Sequence, residues 1–212
     1  VIGEVRSASA VDVSLACDKA AIAAPLWAAT PAPERARILR VAADLLEARA
    51  ERFMQLATRE AGKTIPDAVA EVREAVDFLR YYAGECVRLT GAPLGVVACI
   101  SPWNFPLAIF VGQVSAALAA GNAVIAKPAE QTPVIAHHAV TLLHEAGVPR
   151  GALQFLPGDG PSVGGPLVAD PRVRGVVFTG STEVAQIINR GLVNAGNGDA
   201  ALIAETGGIN AM

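Results

Sequence analysis

Five short segments of this 212-residue chain concentrate the residue types that hold or transform small molecules. They are Ser101-Pro102-Trp103-Asn104-Phe105-Pro106, Lys127-Pro128-Ala129-Glu130, Gly158-Asp159-Gly160, Phe178-Thr179-Gly180-Ser181-Thr182 and Glu205-Thr206-Gly207-Gly208. Asn104 stands between two aromatic residues, with a proline beyond each. A stiff apolar frame around one amide suits an oxyanion donor, although the same residues also build an ordinary turn. Lys127 is one of three lysines and ends an apolar run. A cation there could reach a ribose hydroxyl or a phosphate, and Glu130 could accept from ribose hydroxyls. The plainer alternative is a solvated charge pair of little energetic value.

Gly180 permits close approach to the backbone, and Ser181 with the free N–H groups of a following helix would suit a phosphate. A simple hydroxyl cap by Ser181 or Thr182 uses the same residues. Glu205 follows Leu202-Ile203-Ala204. At the end of a buried strand its carboxylate would be partly desolvated, which suits a general base; an exposed strand-end acid is the alternative.

Other reactive residues look structural. Cys17, Cys86 and Cys99 have no neighbours that would make a thiolate. His137, His138 and His144 share one helical segment without a matching ligand cluster, so they read as surface or packing residues.

The chemistry-bearing segments follow short apolar runs, and those runs alternate with helical patterns. Leu94 to Ile100, Ala123 to Ala126, Leu153 to Leu156, Val173 to Phe178 and Ala201 to Ala204 read as strands. Between them, helices are expected from Leu107 to Ala120, after the Thr132-Pro133 cap to Glu145, over Pro161 to Val168, and from Thr182 to about Leu192. This is the pattern of a parallel sheet with crossover helices, an α/β Rossmann-like fold whose ligands collect at the carboxyl ends of the strands. Residues 9 to 85 read as helical cover, with Val69, Val72, Val76 and Leu79 on one face and Glu71 elsewhere. The expected division is a mainly helical segment over 1–90 and a Rossmann-like portion over 91–212, the two forming one continuous structural domain.

Composition removes several function classes. A net charge of −3 gives no attraction to nucleic acid or an anionic surface. Three cysteines without paired spacing fit a reducing compartment, and the opening Val1-Ile2-Gly3-Glu4 resembles no signal peptide, so a cytoplasmic location is expected. No charge occurs from Leu89 to Ala126, but Pro102, Asn104 and Pro106 divide that stretch. A fully buried helix explains it better than a membrane span, which needs about 20 continuous apolar residues.

Taken in order and spacing, the Ser101–Pro106, Lys127–Thr132, Phe178–Thr182 and Glu205–Gly208 segments resemble the aldehyde dehydrogenase superfamily over nearly the whole chain. More narrowly, Cys99–Phe110 and Leu202–Gly208 look like the dehydrogenase part of bifunctional proline utilization A proteins. Those oxidise L-glutamate γ-semialdehyde, the open form of pyrroline-5-carboxylate, to glutamate. The resemblance implies NAD as cofactor. It casts Asn104 as the oxyanion donor and Glu205 as the base that activates water. It places Lys127 and Glu130 at the adenosine ribose, and Ser181 with the backbone near Gly180 at the pyrophosphate. It puts Trp103, Phe178, Gly160, Gly164 and Val184 along the cofactor cleft, with Ile100, Ser101, Pro102, Thr206 and Gly207 as further cofactor-binding positions. A carboxylate at Glu130 favours the free ribose hydroxyl of NAD over the phosphate of NADP, because like charges repel. The resemblance further implies a small aldehyde substrate, self-association of the complete enzyme and a proline dehydrogenase domain in the same full-length chain.

The chain departs from the pattern in three ways. The nucleophilic cysteine of the family would lie beyond Met212, so these 212 residues are expected not to turn over. Ala185 stands where many relatives carry Gly, and Ile209 where the residue is usually polar. Two alternatives remain: a truncated, non-catalytic NAD-binding module, or a dehydrogenase for another small semialdehyde.

Overall fold

A computed structural model describes residues 2–207; Gly208 and the anomalous Ile209 lie outside the described residues. Helices α1 (Ala10–Ala28), α2 (Ala32–Ala48), α3 (Ala50–Ala61) and α4 (Ile65–Cys86) come first. Their ends follow from local chemistry. Ser9 and Asp12 form a reciprocal capping box on α1, Gly62 closes α3 in the left-handed conformation, and the Thr64 hydroxyl caps α4. The buried face of α4 carries Ala68, Glu71, Val72, Ala75, Val76 and Leu79. Val69 is therefore not on the core face, and Glu71 is, contrary to the sequence-based expectation; helical spacing from Ala68 and Val72 brings Glu71 inward.

The remaining elements alternate. They are β1 (Val96–Ile100), α5 (Ala108–Ala119), β2 (Ala123–Lys127), α6 (Pro133–Ala146), β3 (Leu153–Phe155), a π-helical turn (Gly160–Gly164), α7 (Gly165–Ala169), β4 (Val173–Gly180), α8 (Thr182–Asn194) and β5 (Ala201–Thr206). All strand pairs are parallel, in the order β3-β2-β1-β4-β5. Side chains alternate across the sheet. Val97, Cys99, Val124 and Ala126 pack toward α2, α4, α5 and α6, whereas Val96, Ala98, Ile100, Val176 and Phe178 pack toward α1, α7 and α8. Helix α5 is buried almost all round, which accounts for the charge-free stretch. No helix among the described residues is long and apolar enough to cross a membrane.

Three details differ from the sequence reading. Thr132 makes no side-chain cap on α6, which opens on Pro133 instead. The short helix expected over 161–168 is a π-helical turn running into α7, a shape that follows from Pro161 and three glycines within six residues. Strand β5 is exposed along most of its length rather than buried, because it is the sheet edge and pairs only with β4 among the described residues.

Candidate active site

Strand order reverses between β1 and β4: the chain adds β2 and β3 on one side of β1, then β4 and β5 on the other. Ligands of such sheets bind at that switch point, beyond the carboxyl ends of the strands. The register places Ile100 beside both Lys127 and Phe178, and Thr179 beside Glu205, so four strand ends finish at one level. Gln113, from α5, crosses the switch point. Its Nε2 donates to the Ile100 carbonyl at 3.3 Å and to the Thr179 hydroxyl at 2.9 Å. Above it opens a cleft of about 1060 Å³.

Nearly every predicted position meets in this cleft. Its floor and one wall are Ile100, Ser101, Pro102, Trp103 and Asn104; a second wall is Lys127 and Glu130; a third is Gly160 and Gly164; a fourth is Phe178, Gly180, Ser181 and Val184, with Glu205 and Gly207 at the rim. Thr206 lies opposite Gly180 on β5 and does not line the cleft. Sequence reasoning missed the rest of the α8 wall, Ile187, Ile188 and Gly191. Their spacing from Val184 is the helical i+3, i+4, i+7, and that was the available signal.

Lys127 is only 4% exposed, so it is not half of a solvated charge pair. Its ammonium donates to the neighbouring Pro128 carbonyl at 2.9 Å. Burial depresses its pKa, and Glu130 and then Asp159 partly offset that effect. The stem of the side chain runs beneath Gly164, where an added Cβ would sit 3.5 Å from Lys127 Cε. Asp159 is itself held by Ser162, whose N–H and hydroxyl both donate at 2.7 Å and keep the carboxyl below the usual range.

Gly180 lines the cleft and has a second task there. An added Cβ would lie 2.5 Å from Phe178 Cζ, so the glycine makes room for the Phe178 ring. The Ser181 hydroxyl accepts from Val184 N at 3.2 Å and caps α8, as the plainer reading had it; its proton stays free to donate.

Asn104 is exposed, and the apolar frame around it is open: Trp103 is 56% exposed. What steadies this loop comes from elsewhere. Lys63 stands 4.0 Å from the Phe105 ring centroid. Glu71, 1% exposed, accepts from Leu107 N at 3.1 Å and Ala108 N at 2.9 Å and pairs with Lys63 at 3.1 Å. Helix α5 has no side-chain cap of its own, so Glu71 serves as its acceptor from α4. Glu205 is exposed on the edge strand, which corrects the expectation of a partly desolvated carboxylate; within β5 only Leu202 is partly buried, packed toward α8.

None of the cysteines is poised to attack. Burial, with Asp170 nearby, pushes the Cys17 thiol up to about 12, and burial alone raises that of Cys99. Cys86 points its thiol at the Ala32 and Ala119 carbonyls.

Comparison with known proteins places this geometry among relatives. A family model described as the aldehyde dehydrogenase family matches residues 1–212. The bifunctional protein PutA of Escherichia coli (strain K12) is 55% identical over 219 aligned residues, covering all of this chain and 17% of that protein. The structure of a Thermus thermophilus 1-pyrroline-5-carboxylate dehydrogenase variant superposes with a TM-score of 0.90 at 36% identity, over 95% of this chain and 43% of that one. An NAD-dependent benzaldehyde dehydrogenase from Corynebacterium glutamicum matches with a TM-score of 0.90 at 35% identity, over 98% of this chain and 49% of that one. The chain thus spans under half the length of each.

Proposed function

The chain belongs to the aldehyde dehydrogenase family, and from that premise we propose that it forms the NAD-binding part of an enzyme that oxidises L-glutamate γ-semialdehyde to L-glutamate. The observation that carries the cofactor assignment is Lys127: a buried ammonium at the cleft wall with one backbone carbonyl as its partner. Burying a charge is costly unless it is paired. A ribose edge or phosphate laid against Gly164 supplies the missing acceptors, and Glu130, exposed at the same wall, suits ribose hydroxyls. The negative charge of Glu130 disfavours a 2′-phosphate there, which points to NAD.

When bound, NAD supplies a hydride acceptor. The residues of this chain do the rest by position. Asn104 donates to the aldehyde oxygen as it becomes an oxyanion. Glu205 takes a proton from the water that completes the carboxylate. Phe178 and Val184 give the cleft an apolar wall. A free nucleophile is not among these residues, since all three cysteines are buried, so the 212-residue chain binds NAD without producing NADH.

Calorimetric titration of the purified chain tests the reading. Saturable NAD binding at least about tenfold tighter than NADP is expected, a difference of about 1.4 kcal/mol. No saturation with either nucleotide sinks the cofactor assignment. NADH released from L-glutamate γ-semialdehyde by the chain alone overturns the claim that it lacks a nucleophile.

A further inference from the structure

Helix α6 begins at Pro133, six residues after the buried Lys127, and its first turn fixes one end of the bend that carries Glu130. That turn has no local cap. The Thr132 hydroxyl is buried and makes no hydrogen bond, and Pro133 has no N–H to satisfy. The first free donors, Val134 N and Ile135 N, are met from 74 and 75 residues away by Glu60 at the end of α3. Oε1 accepts from Val134 N at 2.7 Å, and Oε2 from Ile135 N at 2.8 Å.

Two oxygens on two adjacent N–H groups fix both the position and the rotation of the helix start, and the carboxylate meets the positive end of the α6 dipole. The segment is therefore pinned at both ends. Lys127 is held by the register of β2 between β1 and β3, and Val134 is held by Glu60, with only a short turn between them, closed by Thr132 N to the Ala129 carbonyl at 3.1 Å.

We propose that Glu60 is a positioning residue for the nucleotide site: by capping α6 from another layer it sets where Lys127 and Glu130 present themselves to the adenosine ribose. This rests on the assignment of those two residues to the ribose. Glu60 itself does not line the cleft. Half-buried at the α3–α6 junction, it gains its place through the backbone it holds, and burial pushes its carboxyl above the usual range. Its removal leaves two N–H groups at a packed helix start without acceptors.

The test is calorimetric titration of the 212-residue chain with AMP, which engages only the adenosine-ribose end, alongside thermal denaturation. Glu60→Ala is expected to weaken AMP binding about tenfold, and Glu60→Gln, which keeps one acceptor oxygen, about threefold. Val140→Ala, a truncation in the buried face of α6 away from its first turn, serves as control. It is expected to lower the melting temperature while AMP affinity stays within twofold, because it loosens packing without moving the bend. AMP affinity unchanged in folded Glu60→Ala overturns the proposal. If Glu60→Ala does not fold, wild-type affinity in Glu60→Gln overturns it. Wild-type chain that binds neither AMP nor NAD overturns the ribose assignment beneath it, a failure separable from the others because no variant is then needed.

Discussion

Lys127 and Gly180 show how single residues divide binding from stability. Lys127 is held buried at the cost of desolvating its charge, and burial lowers its pKa. A base whose folded pKa lies below its unfolded value binds fewer protons when folded, across the window between the two. Stability therefore rises with pH through that window. Lys127→Met removes the charge and keeps most of the apolar stem. The variant is expected to be at least as stable as wild type at neutral pH, to lose the rise in stability toward the ordinary lysine range, and to bind NAD about tenfold more weakly. Urea denaturation at stepped pH with NAD titration checks all three, and lowered stability at neutral pH would show the ammonium to be a structural anchor instead. Gly180→Ala acts through shape. Its new methyl must displace the Phe178 ring, so a cost of about 1–3 kcal/mol and a weaker NAD interaction are expected. Unchanged stability in chemical denaturation would show that the ring can turn aside freely.

At the scale of elements, helices α5 and α6 follow β1 and β2, and each takes its N-terminal acceptor from the helical layer rather than from its own sequence. Glu71→Ala removes the side-chain acceptor of two backbone N–H groups and leaves Lys63 beside Phe105 without its ion pair. Breaking a buried pair costs about 3–5 kcal/mol, so a large fall in the urea midpoint is expected, with a smaller one for Glu71→Gln. A loss under about 1 kcal/mol in Glu71→Ala would mean that water replaces the cap. These remote caps explain what the sequence concealed. The alternation of apolar runs and helical patterns made the sheet, the crossovers and the buried α5 legible, because each depends on periodicity along a short window. Asn104, Lys127, Phe178 and Ser181 were legible as strand-end residues for the same reason. Glu71 and Glu60 were not, since an acid on a helix gives no sign of which distant N–H groups it will face. The exposure of Glu205 was hidden too: Leu202-Ile203-Ala204 reads as core, and only the strand order shows it to be the edge.

The whole molecule has two faces of unequal finish. On the α1, α7 and α8 side the sheet is covered up to the cleft. On the α5 side, β4 and β5 leave an apolar groove of about 310 Å³, lined by Leu89, Leu94, Val97, Ala117, Gly175 and Ile203. Ile203 is 55% exposed on an edge strand, the arrangement that invites pairing with another chain. The isolated 212-residue chain is therefore expected to self-associate as its concentration rises to about 10 μM and above, a dissociation constant worth roughly 7 kcal/mol. Ile203→Lys places a charge in the groove and is expected to shift the population toward monomer. Because side chains alternate across the strand, Ile203 points toward the α5 side and lines the groove, not the cleft proposed for NAD, so NAD affinity should be the same in both proteins. Light scattering coupled to size exclusion, run with NAD titration, separates the effects. Equal association of the two proteins would place the contact elsewhere on the surface. A loss of NAD binding along with association would mean that the edge strand holds Glu205 and Gly207 in place for the cleft as well.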